Sequence, residues 1–199
     1  MPNESQTLTV AATGASGVIF TKALLHAAEQ DARIGAVNFI ASDNALRVFA
    51  EELDIKGRAD LVQKLLGKKS GKIHQQNNDD IGANVASGSY PTDAMIILPC
   101  SMGTLAGIAH GMAANLVQRA ADVCLKERRQ LVLCVRETPL NLIHIRNMAA
   151  AAEAGATIYP LIPTFYNHPK NFDAMAHQFA CRVLAFIGLP QKDAYVWGK

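Results

Sequence analysis

Short apolar runs alternate with longer amphipathic stretches along most of the chain. Residues 8–12, Leu-Thr-Val-Ala-Ala, end in Thr13-Gly14-Ala15-Ser16-Gly17, after which the apolar positions of residues 18–30 fall at helical spacing. This predicts a strand, a tight glycine turn and a helix. The pattern recurs. Residues 37–41 lead through Ser42 into a helix to about Glu52, and 94–98 lead through Pro99-Cys100-Ser101-Met102-Gly103-Thr104 into more helix. Residues 131–135 lead through Arg136-Glu137-Thr138-Pro139 into a helix over about 140–154, which Gly155 is suited to stop. Residues 157–159 read as a last short strand, and 115–128 and 171–187 as further helices.

Continuously apolar strands separated by helices are covered on both faces, which predicts a parallel sheet. The expected fold class is α/β: a three-layer α/β/α sandwich around a doubly wound parallel sheet, Rossmann or flavodoxin-like, as a single domain over residues 1–199. Residues 55–91 break the pattern with Lys56, Gly57, Gly67, Lys68, Lys69, Gly71 and a polar run from Gln75 to Asp80. An insertion or flexible loop is expected there.

Half of the 199 residues are hydrophobic, enough to build a core without disulfides or a structural metal. A net charge of +2 is too small to neutralise many phosphates, so nucleic acid is not an expected partner. Cys100, Cys124, Cys134 and Cys181 form no C-x-x-C pair and read as reduced thiols. The polar N-terminus and the lack of an uncharged apolar run of about 18 residues predict a cytoplasmic protein with no membrane partner. His26, His74, His110, His144, His168 and His177 show neither H-x-x-x-H nor H-E-x-x-H. Each reads as solvated or core, and no metal is expected.

In an open parallel sheet, ligands bind beyond the carboxyl ends of the strands. Gly14-Ala15-Ser16-Gly17 offers close backbone approach, free amides at a helix start and a hydroxyl, which suits a phosphate; a plain tight turn explains it equally well. Ser101 and Thr104 repeat the design, and each taken singly reads as an N-cap. Together the two turns point to a mononucleotide pocket. Arg136-Glu137 sets a cation and a carboxylate directly after a buried strand, able to bind an anion and move a proton; a surface ion pair is the plainer alternative. Arg128 and Arg129 read as cations complementing a helix C-terminus. Tyr166 lies in an aromatic and proline-rich loop of the kind that covers sites, and Arg182 is either a surface cation or a phosphate ligand.

These stretches resemble the UbiX-type flavin prenyltransferases over nearly the whole chain. The resemblance is carried, in order, by Thr13 to Gly17, Ala86-Ser87-Gly88-Ser89, Leu98-Pro99-Cys100-Ser101, Arg119 to Val123, Leu125 to Arg129, Arg136 to Pro139 and Phe165-Tyr166-Asn167-His168-Pro169. It implies an enzyme that joins the dimethylallyl group of dimethylallyl monophosphate to N5 and C6 of reduced FMN, without a metal. The prenylated FMN would serve a UbiD-type decarboxylase, in ubiquinone synthesis or aromatic-acid decarboxylation. Carried over by position, Gly14, Ala15, Ser16, Ser42, Ser101, Met102, Gly103, Thr104 and Arg136 would hold FMN. Lys126, Glu137, Tyr166 and Arg182 would hold the prenyl phosphate, with Ser89 close by. Ser16 and Glu52 would handle protons, Glu51 being the alternative to Glu52, and Trp197 resembles a tail aromatic near the site.

Those roles are chemically coherent. Breaking an allylic carbon–oxygen bond leaves negative charge on phosphate, which Lys126, Arg182 and Tyr166 can stabilise while Glu137 protonates it. Two rival functions make different demands on the chain. A flavin-dependent cysteine decarboxylase would carry P-x-M-N-x-x-M-W, which is missing here, and an electron carrier needs no second phosphate site. The segments 95–117 and 148–154 carry more Ala, Gly and Met than a monomer's surface needs, which fits subunit contacts. The dodecamer is implied by the resemblance alone.

Overall fold

The computed structural model describes residues 5–198. Its sheet has six strands in the order β3-β2-β1-β4-β5-β6, formed by β1 (Gln6–Ala12), β2 (Ile34–Ala41), β3 (Ile73–Asn77), β4 (Ala94–Cys100), β5 (Gln130–Val135) and β6 (Thr157–Ile158). Each pairing is parallel, so every connection must cross a face of the sheet. The crossings carry α1 (Val18–Gln30), α2 (Asp43–Leu53), α3 (Leu61–Leu66), α4 (Met102–Ala109), α5 (Leu116–Lys126) and α6 (Leu142–Glu153), and α7 (Phe172–Phe186) follows β6. The expected doubly wound sandwich is present.

Alternation along each strand explains the continuous apolar runs. Leu8, Val10 and Ala12 of β1 pack with Leu24 and Leu25 of α1 and Phe179 of α7. Ala11, Met95, Ile97 and Cys100 face the other way, toward Leu105, Leu116, Ala121 and Ala151 of α4, α5 and α6. Phe20 and Tyr159 both meet the Phe179 ring edge-on, at centroid separations of 5.2 and 5.6 Å, locking α1, α7 and the exit of β6 together. The four cysteines are buried and free.

The expected loop over residues 55–91 is overturned. It contains α3, whose Leu61, Val62, Leu65 and Leu66 are buried, and β3, the edge strand of the sheet. An edge strand has one partner and a half-wet face, so Ile-His-Gln-Gln-Asn need not look apolar; Gln76 instead donates to the Asn38 side chain at 3.0 Å and Gln75 to the Arg58 carbonyl at 2.9 Å. The rest is tied down as well. The Asn78 carbonyl and side-chain oxygen accept from the Leu116 and Val117 amides at 2.8 and 3.2 Å. Arg129 donates to the carbonyls of Tyr90 and Gly88 at 2.9 and 2.6 Å. The helix-end reading of Arg129 therefore gives way to that of a clamp on the loop before β4, whereas Arg128 is exposed with φ 55°.

The segments 95–117 and 148–154 are partly core and partly surface. Residues 95–100 are core strand and Ala151 is fully buried, whereas Met112, Ala113, Ala114, Ala149, Ala152 and Ala154 are exposed. A further run of exposed large apolar side chains lies just before and within the first turn of α6: Leu140, Leu142, Ile143 and Ile145. Among the described residues, no helix is long and apolar enough to cross a membrane.

Candidate active site at the carboxyl edge of the sheet

The chain leaves β1 toward β2 on one side and returns as β4 on the other, so a crevice opens between the exits of β1 and β4. Buried Thr13 spans it: its hydroxyl donates to the Pro99 carbonyl at 3.0 Å and accepts from the Ser101 amide at 2.8 Å. Ser101 then caps α4, its oxygen accepting from the Thr104 amide at 3.3 Å and its hydroxyl donating to the Thr104 hydroxyl at 3.1 Å. Ser42 caps α2 in the same manner through the Ala45 amide at 3.1 Å. The first turn of α2 comes so close to the β1 exit that a Cβ on Gly14 would lie 2.5 Å from the Asn44 Cβ. Only glycine permits that approach.

The amides at the start of α1 are not free, contrary to expectation. Both Glu52 carboxylate oxygens accept from the Gly17 amide at 3.0 Å, and one accepts from Val18 at 3.0 Å as well. A carboxylate at a helix N-terminus satisfies orphan donors and complements the dipole, and Gly17 adopts φ 110° to present its amide. This anchors Glu52 beside exposed Ser16. Glu51 instead pairs with Arg47 at 2.8 Å on the outer surface. The amides of this edge left open to an anion are thus those of α2 and α4, whose first turns carry only the bonds to Ser42 and Ser101 described above.

The Met102 side chain is buried in the core under α4, which leaves only its backbone at this edge. Gly103 beside it is exposed, as are Ser16, Arg136 and Glu137. The Arg136 amide donates to the Cys100 carbonyl at 3.1 Å, which carries the β4–β5 alignment one step beyond the sheet, and the Glu137 carboxylate accepts from the Thr138 amide at 2.9 Å. Sequence reasoning passed over two residues here. Thr13 is one, and Arg58 is the other: it donates to the Ala41 carbonyl at 2.9 Å and to Asp43 at 2.5 Å, next to the Ser42 cap. Two helix starts, a row of hydroxyls and a cation on one edge fit a phosphate monoester joined to a polar ring, and so fit FMN.

Arg182 projects from α7 and places a guanidinium nitrogen 3.5 Å from the Tyr166 hydroxyl. The Tyr166 ring is held by the tail, with Trp197 edge-on at 5.1 Å and Tyr195 at 5.6 Å. A cavity of ≈ 290 Å³ runs between Thr164, Tyr166, Arg182, Tyr195 and Trp197, and one of ≈ 240 Å³ is walled by Ile158, Tyr159, Pro160, Ile162 and the same Arg182. Burial pushes the Tyr159 hydroxyl pKa up, and the neighbouring Arg182 charge partly opposes this. An apolar wall with one cation at its rim suits a small hydrocarbon with an anionic end.

Lys126 and Ser89 are elsewhere. Lys126 closes α5 at the turn into β5, where it pairs with Glu127 and holds the Glu127 carboxyl below its ordinary value. Ser89 follows Gly88, against which Lys126 and Glu127 crowd, and its hydroxyl meets that of Ser87 at 2.9 Å. Both residues sit where strands β4 and β5 begin, whereas Arg136, Glu137, Tyr166 and Arg182 follow strand ends. A strand of six or seven residues separates the two edges by roughly 20 Å. One chain therefore brings together Ser16, Glu52, Ser101 and Arg136 as one group and Tyr166 with Arg182 as another. It does not bring Lys126 to either.

Comparison with known proteins bears on this arrangement. A family profile described as Flavoprotein matches residues 1–176. The flavin prenyltransferase UbiX of Alkalihalophilus pseudofirmus is 40% identical over 198 residues, covering 96% of this chain and 96% of that protein. Among solved structures, a dodecameric FMN-dependent Ubix-like decarboxylase from Escherichia coli O157:H7 superposes with a TM-score of 0.85 at 41% identity, over 98% of this chain and 100% of that one. AnUbiX (PadA1) in complex with FMN and dimethylallyl pyrophosphate gives a TM-score of 0.86 at 36% identity, over 98% of both chains.

Proposed function

We infer, from the premise that the chain belongs to the Flavoprotein family and within it to the UbiX-type flavin prenyltransferases, that it transfers a dimethylallyl group from dimethylallyl monophosphate to reduced FMN. The observation that carries this reading is the presence of two separate groups of residues suited to an anion: helix starts and hydroxyls around Ser42 and Ser101, and a cation, Arg182, beside the apolar cavities and Tyr166. A flavin carrier has use for the first and none for the second.

Gly14, Ala15, Ser16, Ser42, Ser101, the Met102 backbone, Gly103, Thr104 and Arg136 hold FMN in this proposal. Reduced flavin supplies nucleophilic N5 and C6. The protein's part is placement and proton handling. Arg182 and the Tyr166 hydroxyl, whose separation of 3.5 Å lets one phosphate oxygen meet both, stabilise the departing phosphate. Glu137 protonates that leaving group, and Glu52, held beside Ser16 by the Gly17 and Val18 amides, takes the proton released at ring closure.

Lys126 joins the phosphate site from a second copy of the chain, with Ser89 next to it, because its own edge of the sheet lies too far away. Uncovered apolar side chains at the start of α6, with Leu142 59% and Ile143 65% exposed, give copies a surface to share. A dodecamer is proposed on the strength of the E. coli structure's description. The product, prenylated FMN, would pass to a UbiD-type decarboxylase in ubiquinone synthesis or aromatic-acid decarboxylation, within the cytoplasm. Mass spectrometry of the flavin after anaerobic incubation with reduced FMN and dimethylallyl monophosphate tests the reaction. The flavin should gain one prenyl unit; flavin of unchanged mass, with the pyrophosphate donor as well as the monophosphate, would refute it.

A further inference from the structure

A second constellation lies on the other side of Gln178, away from Arg182 and unused by the proposed chemistry. His177 and Cys181 stand one turn apart on the same face of α7, and Asp193 of the tail folds back against them. The His177 Nε2 is 3.4 Å from the Cys181 sulfur and 2.5 Å from an Asp193 carboxylate oxygen. All three candidate ligand atoms fall within 4.8 Å of one another.

One nitrogen meets both neighbours, so the trio is not a nucleophile–base–orienter relay, which needs both imidazole nitrogens. It is the donor set of a borderline metal ion: one thiol, one imidazole and one carboxylate. Tetrahedral zinc with ordinary bond lengths puts its sulfur and nitrogen ligands about 3.5 Å apart, close to the 3.4 Å found. The carboxylate stands nearer than a shared metal allows, by somewhat under about 1 Å on the same bond lengths, but Asp193 is exposed on the tail and is free to retreat.

The site has an opening and a place for a fourth ligand. A cavity of ≈ 390 Å³ is lined by His177 and Asp193 together with Asn167, His168 and Tyr195. In its wall the Asn167 side-chain oxygen is buried without a hydrogen-bond partner, an acceptor suited to a metal-bound water. The third ligand is far from the others in sequence, which is why a search for histidine pairs does not find the site.

We propose that His177, Cys181 and Asp193 bind one zinc ion, which fastens the C-terminal tail to α7. Metal entry displaces the Cys181 proton, so that Cys181–SH and Zn²⁺ give a zinc thiolate and H⁺. The consequence reaches the neighbouring cavity, because Gln178 already bridges to the Asp193 carbonyl at 3.0 Å and to the Tyr195 amide at 2.7 Å, and Tyr195 and Trp197 hold the Tyr166 ring.

Titration of the full-length protein with Co²⁺, read by absorbance, tests the site without reference to flavin chemistry. One equivalent should produce a thiolate-to-cobalt charge-transfer band, displaced by Zn²⁺. Cys181→Ala should abolish the band, and His177→Gln and Asp193→Asn should each weaken binding at least about tenfold, with thermal unfolding confirming that each variant is folded. Absence of the band in the wild type, or affinity unchanged in His177→Gln or Asp193→Asn, would overturn the proposal.

Discussion

The Thr13 hydroxyl stitches the exit of β1 to the exit of β4: it accepts from the Ser101 amide at 2.8 Å while donating to Pro99 at 3.0 Å. The bond to Pro99 is buried and that from Ser101 partly so, at the floor of the crevice that the proposed flavin occupies. Thr13→Val keeps the shape and removes both, stranding the Ser101 amide, while the Pro99 carbonyl keeps the Thr13 backbone amide at 3.1 Å. The variant should lose about 1–3 kcal/mol of stability in urea unfolding and bind FMN more weakly. Unchanged stability would show that the crevice is held by something other than this hydroxyl.

Glu52 and Glu51 are adjacent in sequence but not equivalent in structure. Glu52 caps α1 from a neighbouring helix, whereas Glu51 pairs with Arg47 at the surface. Glu52→Ala should cost about 0.5–2 kcal/mol, the range of a lost N-cap, and should also depress turnover if the proposed proton role holds. Glu51→Ala should fall within about 0.5 kcal/mol of wild type and leave turnover intact. Equal effects of the two substitutions would remove the distinction.

The tail that reaches the site is anchored at Asp31. Its side chain is 6% exposed and pairs with Arg33 at 2.6 Å; it also accepts from Gln191 at 2.8 Å, and Arg33 in turn donates to the Pro190 carbonyl at 2.9 Å. The hydrogen bond from Arg33, with a further one from Gln191, holds the Asp31 carboxyl well below the usual carboxylate range against an opposing effect of burial. A depressed folded-state value means stability that is present above the unfolded value of about 3.9 and is lost as pH falls through the folded one. Asp31→Asn should therefore lower stability by about 2 kcal/mol at pH 7, the gap from wild type closing steadily below about pH 4. Thermal melts across that range check it; a gap that stays constant would contradict it.

Burial pushes the thiols of Cys100 and Cys181 up to about 12 and that of Cys124 to about 11, and it raises Cys134 well above the ordinary value. At pH 8 such thiols are thiolate to about one part in a thousand or less. Ellman's reagent should find no fast-reacting thiol in the native protein and all four after denaturation. Rapid labelling of even one native cysteine would contradict this placement.

Much of the fold was legible because its strands are core on both faces. The α1 boundaries agree with the apolar period at both ends, and β1, β2, β4 and β5 lie where the apolar runs are. What escaped was β3, since Gln75, Gln76 and Asn77 of an edge strand have the composition of a loop and owe their place to Asn38 and Arg58 rather than to their own apolar character. In the site, the hydroxyls and charges at strand ends could be read from the chain. The Glu52 cap on α1 depends on a contact between residues 35 apart, and Arg129's clamp on Gly88 on one between residues 41 apart. Neither has a local pattern. The position of Lys126 at the far edge follows from the direction of α5 relative to β5, which no motif encodes.

That separation gives the account its most direct test. Lys126→Ala and Arg182→Ala should each abolish prenylation of reduced FMN. If every site draws these two residues from different chains, unfolding and co-assembling equal amounts of the two inactive variants should restore about a quarter of wild-type prenylated flavin per site, the fraction expected from random closed assembly. No recovery from a mixture that has regained the wild-type assembly size and FMN binding would contradict a shared site built around Arg182 and Tyr166.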